Sequence, residues 1–287
     1  MNKKSIRDGI EIFPLLTFIA LTKFFSLETK TNIGGWLVSW LIRLNRKFKR
    51  RITKNLELTM PHKDKADQKK FIIEFGRHIG ITFTELIFNS EFQKNKDRFK
   101  YSHRDLSPLI KANQEGRPIM IISGHLGPWE AVRAVLKINN LTSGAIYKKN
   151  KNQFYEIMHL NAIKCGGEPV FATGLSGTKK MIKYLKSGGI VSIMLDQAAN
   201  DGEFFEFLGV PAKTTTSIAK IALSLDALVI PAYALRSRNS RNINVFFENP
   251  VVSKSYRDMT AKLTKSIEKR VTENPTQWYW LHRRWKY

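Results

Sequence analysis

Short apolar runs that alternate with helix-like stretches fill residues 118 to 248 and constrain the fold most. These runs lack the strict polar and apolar alternation of a half-exposed strand, which favours strands buried on both faces. They are PIMIIS (118–123), SGAIYK (143–148), EPVFA (168–172), GIVSIML (189–195), ALVIPAYAL (227–235) and NINVFFE (242–248). Helical patterns begin near residues 127, 152, 176 and 214. Buried strands joined by helices predict an α/β fold in which a central, mostly parallel sheet is flanked by helices.

The amino terminus has a different pattern, in which apolar stretches precede a basic one. The stretches IFPLLTFIALT (12–22) and TNIGGWLVSWLI (31–42) are uncharged, but each has only about half of the 20 residues that a spanning helix needs. RLNRKFKRRITK (43–54) then carries seven basic residues. Together with Trp36 and Trp40, these features predict helices that lie in a membrane interface. The alternative is a pair of core helices with a solvated basic face.

No internal repeat or low-complexity linker divides the remaining chain. The predicted organisation is therefore an amino-terminal, apolar and basic membrane-associating segment, residues 1–54, followed by one α/β domain, residues 55–287. A helical pattern over residues 66–92 predicts a helix across the front of that domain.

The charge balance narrows the range of partners. The 287 residues include 48 Lys and Arg against 24 Asp and Glu, a formal charge of +24, which predicts affinity for nucleic acid, anionic lipid, phosphorylated substrates or an acidic protein. The one cysteine, Cys165, excludes an internal disulfide and fits a cytosolic environment. A packed thiol is favoured over a catalytic nucleophile at this position.

The segment SGHLGPWE (123–130) follows the first buried run and contains the strongest candidate for catalysis. His125 on a tight loop is predicted to act as a general base, and Glu130, in the first turn of the next helix, is predicted to orient its ring. Because no serine or cysteine is placed as a nucleophile, the pair favours direct attack of a substrate hydroxyl on an activated carbonyl. The alternative is a loop histidine with a purely structural role.

A strand end followed by H-x-x-x-x-E, with Trp129 before the glutamate, resembles the glycerolipid and lysophospholipid acyltransferase superfamily. Within it, the chain looks like the bacterial late acyltransferases of lipid A biosynthesis, which transfer lauroyl and myristoyl groups. The matching blocks stand in the family's order: NLELTMP (55–61), SGHLGPWE (123–130), IYKKNKN (146–152), LDQAANDGEFFEFLGVPAKTTT (195–216) and NPTQWYWLHRRWK (274–286).

The resemblance implies that residues 55–287 transfer a fatty acyl chain from acyl carrier protein to a hydroxyl of a lipid A precursor. It implies the cytoplasmic face of a Gram-negative inner membrane, an anionic membrane surface as a partner, and neither a metal nor a bound cofactor. His125 and Glu130 would be the catalytic pair. A monomer that binds no nucleic acid is expected.

Five further residues are substrate-binding candidates. By the resemblance, Asp196 belongs to a D-Q block at a strand end, and Lys148 stands where the family usually has arginine, a change that loses the planar bidentate fork. Thr215 is a candidate near the acyl carbonyl or a helix cap. Arg283 and Arg284 are candidates for a phosphate clamp or parts of a packed tail.

Two rival functions stay open on the sequence. One is an acyltransferase that acts on another phospholipid or glycolipid acceptor. The other, from a different class, is a basic nucleic-acid-binding protein, which the charge and the aromatic, basic ends support.

Overall fold

The structure, a computed structural model, describes residues 3–237 and 241–286. Residues 1, 2 and 287, at the outer ends of the two predicted units, lie outside the described residues. The helices are α1 Lys3–Thr22, α2 Leu27–Leu44, α3 Arg46–Thr59, α4 Lys65–Ile87, α5 Asn89–Lys94, α6 His103–Gln114, α7 Glu130–Ile138, α8 Gln153–Cys165, α9 Leu175–Lys186, α10 Ser217–Ser224 and α11 Tyr256–Glu273, with 3₁₀ turns at Lys96–Arg98 and Pro275–Gln277. The strands are β1 Phe99–Lys100, β2 Ile119–Ser123, β3 Ser143–Tyr147, β4 Val170–Ala172, β5 Ile190–Met194, β6 Glu203–Phe207, β7 Val210–Thr214, β8 Leu228–Arg236 and β9 Ile243–Phe247.

A central seven-stranded sheet has the order β1-β9-β8-β2-β5-β3-β4. Strands β8, β2, β5, β3 and β4 run parallel to one another, and β9 runs antiparallel to β8. The six runs predicted from the sequence correspond to β2, β3, β4, β5, β8 and β9. The predicted α/β fold with a mostly parallel central sheet flanked by helices is therefore confirmed.

Strand β2 shows why its run is continuously apolar. Ile119 and Ile121 pack with residues of α6 and α7 on one face of the sheet. Met120 and Ile122 pack with residues of α4, α9 and α11 on the other. Since successive side chains of a strand point to opposite faces, a strand covered on both sides needs apolar residues at every position.

A two-stranded antiparallel hairpin, β6–β7, was not predicted from the sequence. In this hairpin Phe205 and Phe207 are buried, while Phe204 is about half exposed. The turn places Leu208 and Gly209 at positive φ, 53° and 74°, as tight hairpin turns require. The hairpin packs on α11 rather than joining the central sheet.

The amino-terminal helices are attached to the domain by close contacts. A Cβ added to Gly80 of α4 would lie 2.5 Å from the carbonyl oxygen of Gly34 in α2, so glycine allows these two helices to touch. Asp8 of α1 caps α8, because its carboxylate accepts from the backbone of Gln153 at 3.2 Å and its carbonyl accepts from Asn152 at 2.8 Å. The boundary predicted between residues 54 and 55 falls within α3.

Among the helices formed by residues 3–237 and 241–286, none has both the length and the hydropathy needed to cross a bilayer.

Candidate active site

The centre of the site lies where two neighbouring parallel strands end. The last residues of β2 and β5, Ser123 and Met194, are directly opposite each other in the register. His125 and Asp196 each follow two residues later. The sheet therefore places these two side chains together at its carboxyl edge, where α/β folds usually bind their ligands.

Asp196 holds His125 through two contacts. The ring Nδ1 and the carboxylate Oδ1 are 2.8 Å apart, and the backbone N–H of His125 donates to Oδ2, also at 2.8 Å. The indole Nε1–H of Trp278 donates to the same Oδ2 at 2.8 Å. Both carboxylate oxygens are thus used, and the ring of His125 is fixed relative to its own backbone.

The electrostatics keep Asp196 ionised although its side chain is fully buried. Burial alone would raise its pKa, but the charge and hydrogen bond of His125, together with His282 and Trp278, hold the pKa well below the usual range. An ionised carboxylate can only accept, so Nδ1 of His125 carries the proton that it donates. In the neutral ring, Nε2 is then free to accept a proton.

The outer nitrogen of His125 faces the more open side. The side chain of His125 is 21 % exposed, and within residues 3–237 and 241–286 its Nε2 atom has one hydrogen-bond partner, the Gln197 amide nitrogen at 3.5 Å. That distance is at the limit of a hydrogen bond. A substrate hydroxyl could therefore replace Gln197 at Nε2 with little loss of protein hydrogen bonding.

Two glycines make the loop possible. A Cβ on Gly124 would lie 3.3 Å from the Asp196 carboxylate, so a side chain there would press on the group that holds the histidine. Gly127 has φ of 56°, and its backbone packs against the carbonyl of Ala234 in β8. This combination of positive φ and close backbone approach favours glycine.

The carboxyl-terminal segment closes over the same loop. The backbone N–H of Tyr279 donates to the His125 carbonyl at 3.0 Å, and the N–H of Gly127 donates to the Gln277 carbonyl at 2.9 Å. The ring of Trp129 lies 5.3 Å from the His125 ring. The sequence placed this segment in a family block without assigning it a role in the loop.

His282 is a site residue that the sequence reasoning did not select. Its ring lies 4.8 Å from that of His125, and its Nε2 is 4.0 Å from Oδ2 of Asp196. Burial lowers the pKa of His282 to about 4, and the nearby Asp196 only partly opposes this. The signal that could have identified it was its position in the block WLHRRWK.

Glu130 does not orient His125, which corrects the sequence-based expectation. Its carboxylate accepts from Nη1 of Arg133 at 3.0 Å and from the Asn89 amide at 3.3 Å. As the first residue of α7, it faces a partner one helical turn along the same helix. Arg133 in turn donates to the carbonyls of Ser143 and Gly167. Glu130 therefore belongs to a buried cluster behind the loop.

Lys148 and Thr215 each come directly after a strand, Lys148 after β3 of the central sheet and Thr215 after β7 of the hairpin. Lys148 comes directly after β3, the strand next to β5, and is exposed. Thr215 follows β7, and its hydroxyl accepts from the backbone N–H of Ser217 at 3.3 Å at the start of α10. Thr215 thus pairs the first N–H of α10 from one residue before the N-cap residue, Thr216.

The two carboxyl-terminal arginines differ in environment. Arg283 is exposed, whereas Arg284 is only 1 % exposed. The guanidinium of Arg284 donates to the carbonyls of Gln197 and Lys213 and to the hydroxyl of Thr214. These contacts fix the chain just after Asp196 and leave little of Arg284 available to a ligand.

Among the described residues, one group has the composition of a metal site: His125, Asp196 and His282, with ligand atoms within 4.8 Å of one another. Both oxygens of Asp196 already accept hydrogen bonds. A metal bound there would compete with the contacts that hold His125.

Comparison with known proteins shows the family of this chain. Residues 12–287 match the family described as bacterial lipid A biosynthesis acyltransferase. A lipid A biosynthesis palmitoleoyltransferase of Escherichia coli (strain K12) is 23 % identical over 238 residues, 81 % of this chain and 77 % of that protein. A lipid A biosynthesis acyltransferase of Haemophilus influenzae is 24 % identical over 260 residues, 88 % of this chain and 81 % of the relative. These matches place the chain in the class of acyltransferases.

The particular group follows from the extent of the match. The chain belongs to the family of bacterial lipid A biosynthesis acyltransferases, as its sequence motifs indicated.

Proposed function

We propose that this protein transfers a fatty acyl chain from a thioester of acyl carrier protein to a hydroxyl of a lipid A precursor. The observation that carries the proposal is the contact between His125 and the buried, ionised Asp196 at two adjacent strand ends, in a chain of this family. A histidine held in this way is suited to act as a general base.

The proposed reaction needs no covalent enzyme intermediate. Nε2 of His125 takes the proton from the acceptor hydroxyl as its oxygen attacks the thioester carbonyl, and Asp196 stabilises the imidazolium that forms. When the carbon–sulfur bond breaks, the imidazolium returns the proton to the departing thiolate sulfur. Lys148 and Thr215 are proposed to contact the donor or acceptor beside this histidine, and Arg283 to contact an acidic group.

The proposed location is the cytoplasmic face of the inner membrane, with residues 1–54 as the membrane-associating segment. In support, α1 exposes Ile10 and Phe13 at 70 % and 68 %, and Phe24 after it is 91 % exposed. On α2, Trp36 and Trp40 stack on each other and are 64 % and 42 % exposed. Large apolar groups in neighbouring helices are typical of a surface that enters lipid headgroups.

The proposed donor is consistent with the charge of the chain. A formal charge of +24 attracts anionic lipid and acidic proteins, and an acyl carrier protein is strongly acidic. An acyl carrier protein thioester is therefore proposed over a neutral donor.

The test uses the purified full-length protein with an acyl carrier protein thioester and a tetra-acylated lipid A precursor. His125→Ala is expected to lower kcat by about 10²–10⁴, the usual contribution of a positioned base. His62→Ala is the matched control, since His62 is an exposed histidine in a turn, and it should leave kcat unchanged. Equal rates for wild type and His125→Ala would refute the proposal.

Membrane fractionation tests the proposed segment. Replacing Ile10 and Phe13 with Gln should release protein from membranes at high salt, because salt screens the basic residues while apolar contacts persist. The paired control is Leu175→Gln, which removes an 84 % exposed apolar residue far along the chain in α9. Equal retention of all three proteins would argue against this segment as the anchor.

A further inference from the structure

A polar cavity whose lining lies outside the loop of His125 has no role in the chemistry proposed above. It measures about 580 Å³ and lies between α2, α4 and the end of β8. Its lining includes Arg77, His78, Arg98, Arg236 and Arg241. A volume of this size suits a small organic ligand rather than a single ion.

The arginines of this cavity are only partly neutralised. Arg98 and Arg236 share one buried carboxylate, that of Glu85. Arg241 pairs with Glu28 at 2.6 Å.

The remaining charges leave one arginine available to a ligand. Arg77 is exposed and makes no hydrogen bond or ion pair with any described residue. The carboxylate of Glu74, which also lines the cavity, is 3.8 Å from the Nε2 atom of His78.

Arg236 supplies the second, independent observation. Its side chain is only 10 % exposed, yet its Nε and Nη1 groups have no partner among the described residues. The same is true of Nδ1 of His78. Unpaired donors on a buried guanidinium are costly and leave its charge incompletely compensated, which favours an anion in the adjoining cavity.

The electrostatic potential in the cavity is positive, as the lowered pKa of His78 indicates. Burial, together with the charges of Arg236 and Arg77, lowers the pKa of His78 to about 4. Positive charge thus dominates around His78 despite the neighbouring glutamates, and an anion placed there would be stabilised.

Short connections join this cavity to the loop of His125. The side chain of Gln277 accepts from the backbone N–H of Arg236 at 2.9 Å and donates to its carbonyl at 3.0 Å, while the Gln277 carbonyl accepts from Gly127. On α4, the Thr82 hydroxyl donates to the Gly127 carbonyl at 3.3 Å. His78 is one turn away on that helix, about 6 Å along its axis. Residues of the cavity wall are therefore connected to the loop of His125 through Gln277 and α4.

We propose that this cavity is a subsite for a sugar phosphate group of the acceptor, held by Arg77, Arg236 and His78. The inference rests on the proposed function, because the acceptor is taken to be a phosphorylated glycolipid. Arginine matches phosphate oxygens with two parallel hydrogen bonds, and the cavity has room for a sugar as well as the phosphate. The guanidinium of Arg284 already donates to two backbone carbonyls and to the Thr214 hydroxyl, so it is not proposed to hold this phosphate.

The kinetic test compares two acceptors that differ only in their phosphates, one of them treated with phosphatase. Arg77→Gln should lower the ratio of kcat/KM for the phosphorylated over the dephosphorylated acceptor by about tenfold, the lower end of the effect of a hydrogen bond to a charged group. The matched control is Arg104→Gln, which removes an exposed arginine in α6 and should leave the ratio unchanged. An unchanged ratio in Arg77→Gln would overturn the proposal.

A binding test separates this proposal from the enzymatic one. The full-length protein would be titrated calorimetrically with glucosamine 1-phosphate, glucosamine and inorganic phosphate. Binding of the sugar phosphate but not of glucosamine, weakened by Arg77→Gln but not by Arg104→Gln, supports the subsite even if no acyl transfer is found. Binding of inorganic phosphate alone would assign the cavity to free phosphate and overturn the proposal, as would equal binding by wild type and Arg77→Gln.

Discussion

Replacing Asp196 with Asn tests the proposed base directly, because the change keeps the shape of the side chain and removes its charge. Oδ2 of Asp196 accepts two hydrogen bonds, from the His125 backbone and from Trp278, whereas Oδ1 contacts the His125 ring alone. The amide oxygen of Asn is therefore expected to take the place of Oδ2. Its NH₂ group would then face Nδ1 of His125.

That orientation forces the opposite tautomer on His125. Nδ1 must accept, so the proton moves to Nε2, the atom that has to take the proton of the acceptor hydroxyl. Asp→Asn at the equivalent place in a Ser-His-Asp triad lowers kcat by about 10⁴. We expect Asp196→Asn to lower kcat by about 10³–10⁴. The same variant should lose about 1–3 kcal/mol of its free energy of unfolding, because the hydrogen bonds from the His125 backbone and from Trp278 persist.

Glu130→Gln is the contrasting variant. Arg133 is 2 % exposed in its side chain and would lose its one carboxylate partner while keeping its carbonyl contacts. Removing one partner of a buried ion pair costs about 3–5 kcal/mol, and the retained amide oxygen reduces this. We expect a lower Tm than for Asp196→Asn, but a kcat at least tenfold higher.

The assay combines steady-state rates with thermal melts of both variants, at a temperature where each is folded. If Glu130→Gln remained fully folded and lost as much kcat as Asp196→Asn, the assignment of Asp196 as the orienting carboxylate would be refuted.

Three further predictions follow from burial and packing. His78 and His282 have pKa values of about 4, below the usual 6.5, so between these two pH values the unfolded chain binds protons that the folded chain does not bind. The free energy of unfolding, measured by urea denaturation, should therefore fall as the pH drops from about 6.5 to 4, by at most about 3 kcal/mol per histidine. His282→Gln should make this pH dependence less steep, and an unchanged pH dependence would contradict the lowered pKa of His282. Gly80→Ala should lower Tm because the added Cβ would meet the backbone of α2. Gly9→Ala in α1, where an added Cβ would have no heavy atom within 4 Å, should not lower Tm. Equal Tm values for the two variants would contradict the close packing of α2 on α4. Treatment with EDTA should leave the rate unchanged, since the carboxylate between the two histidines is already hydrogen-bonded, and a loss that Zn²⁺ restores would show a required metal.

Much of the sheet was predictable because burial on both faces leaves a direct trace in the sequence. The run that became β2 is apolar at each of Ile119, Met120, Ile121 and Ile122, as contact with two separate cores requires. The hairpin β6–β7 left a weaker trace, because it has only one buried face and stands apart from the central sheet.

The role of Glu130 could not be predicted from its spacing. Five residues separate it from His125 in the chain, a distance compatible with contact, but the side chain of the first residue of a helix can face either the loop or the following turn. The Glu130 side chain faces the following turn because Arg133 lies there, and the buried guanidinium of Arg133 needs a carboxylate. Its carbonyl partners come from residues as distant as Gly167.

The sequence by itself determined that His125 and Asp196 each follow the end of a buried strand, since apolar runs and their ends are local properties of the chain. It did not determine the order of the strands. Only the tertiary structure made β5 the neighbour of β2, with Ser123 opposite Met194. Strand order depends on how helices and strands pack against one another over the whole domain, and that packing gave His125 the carboxylate it contacts.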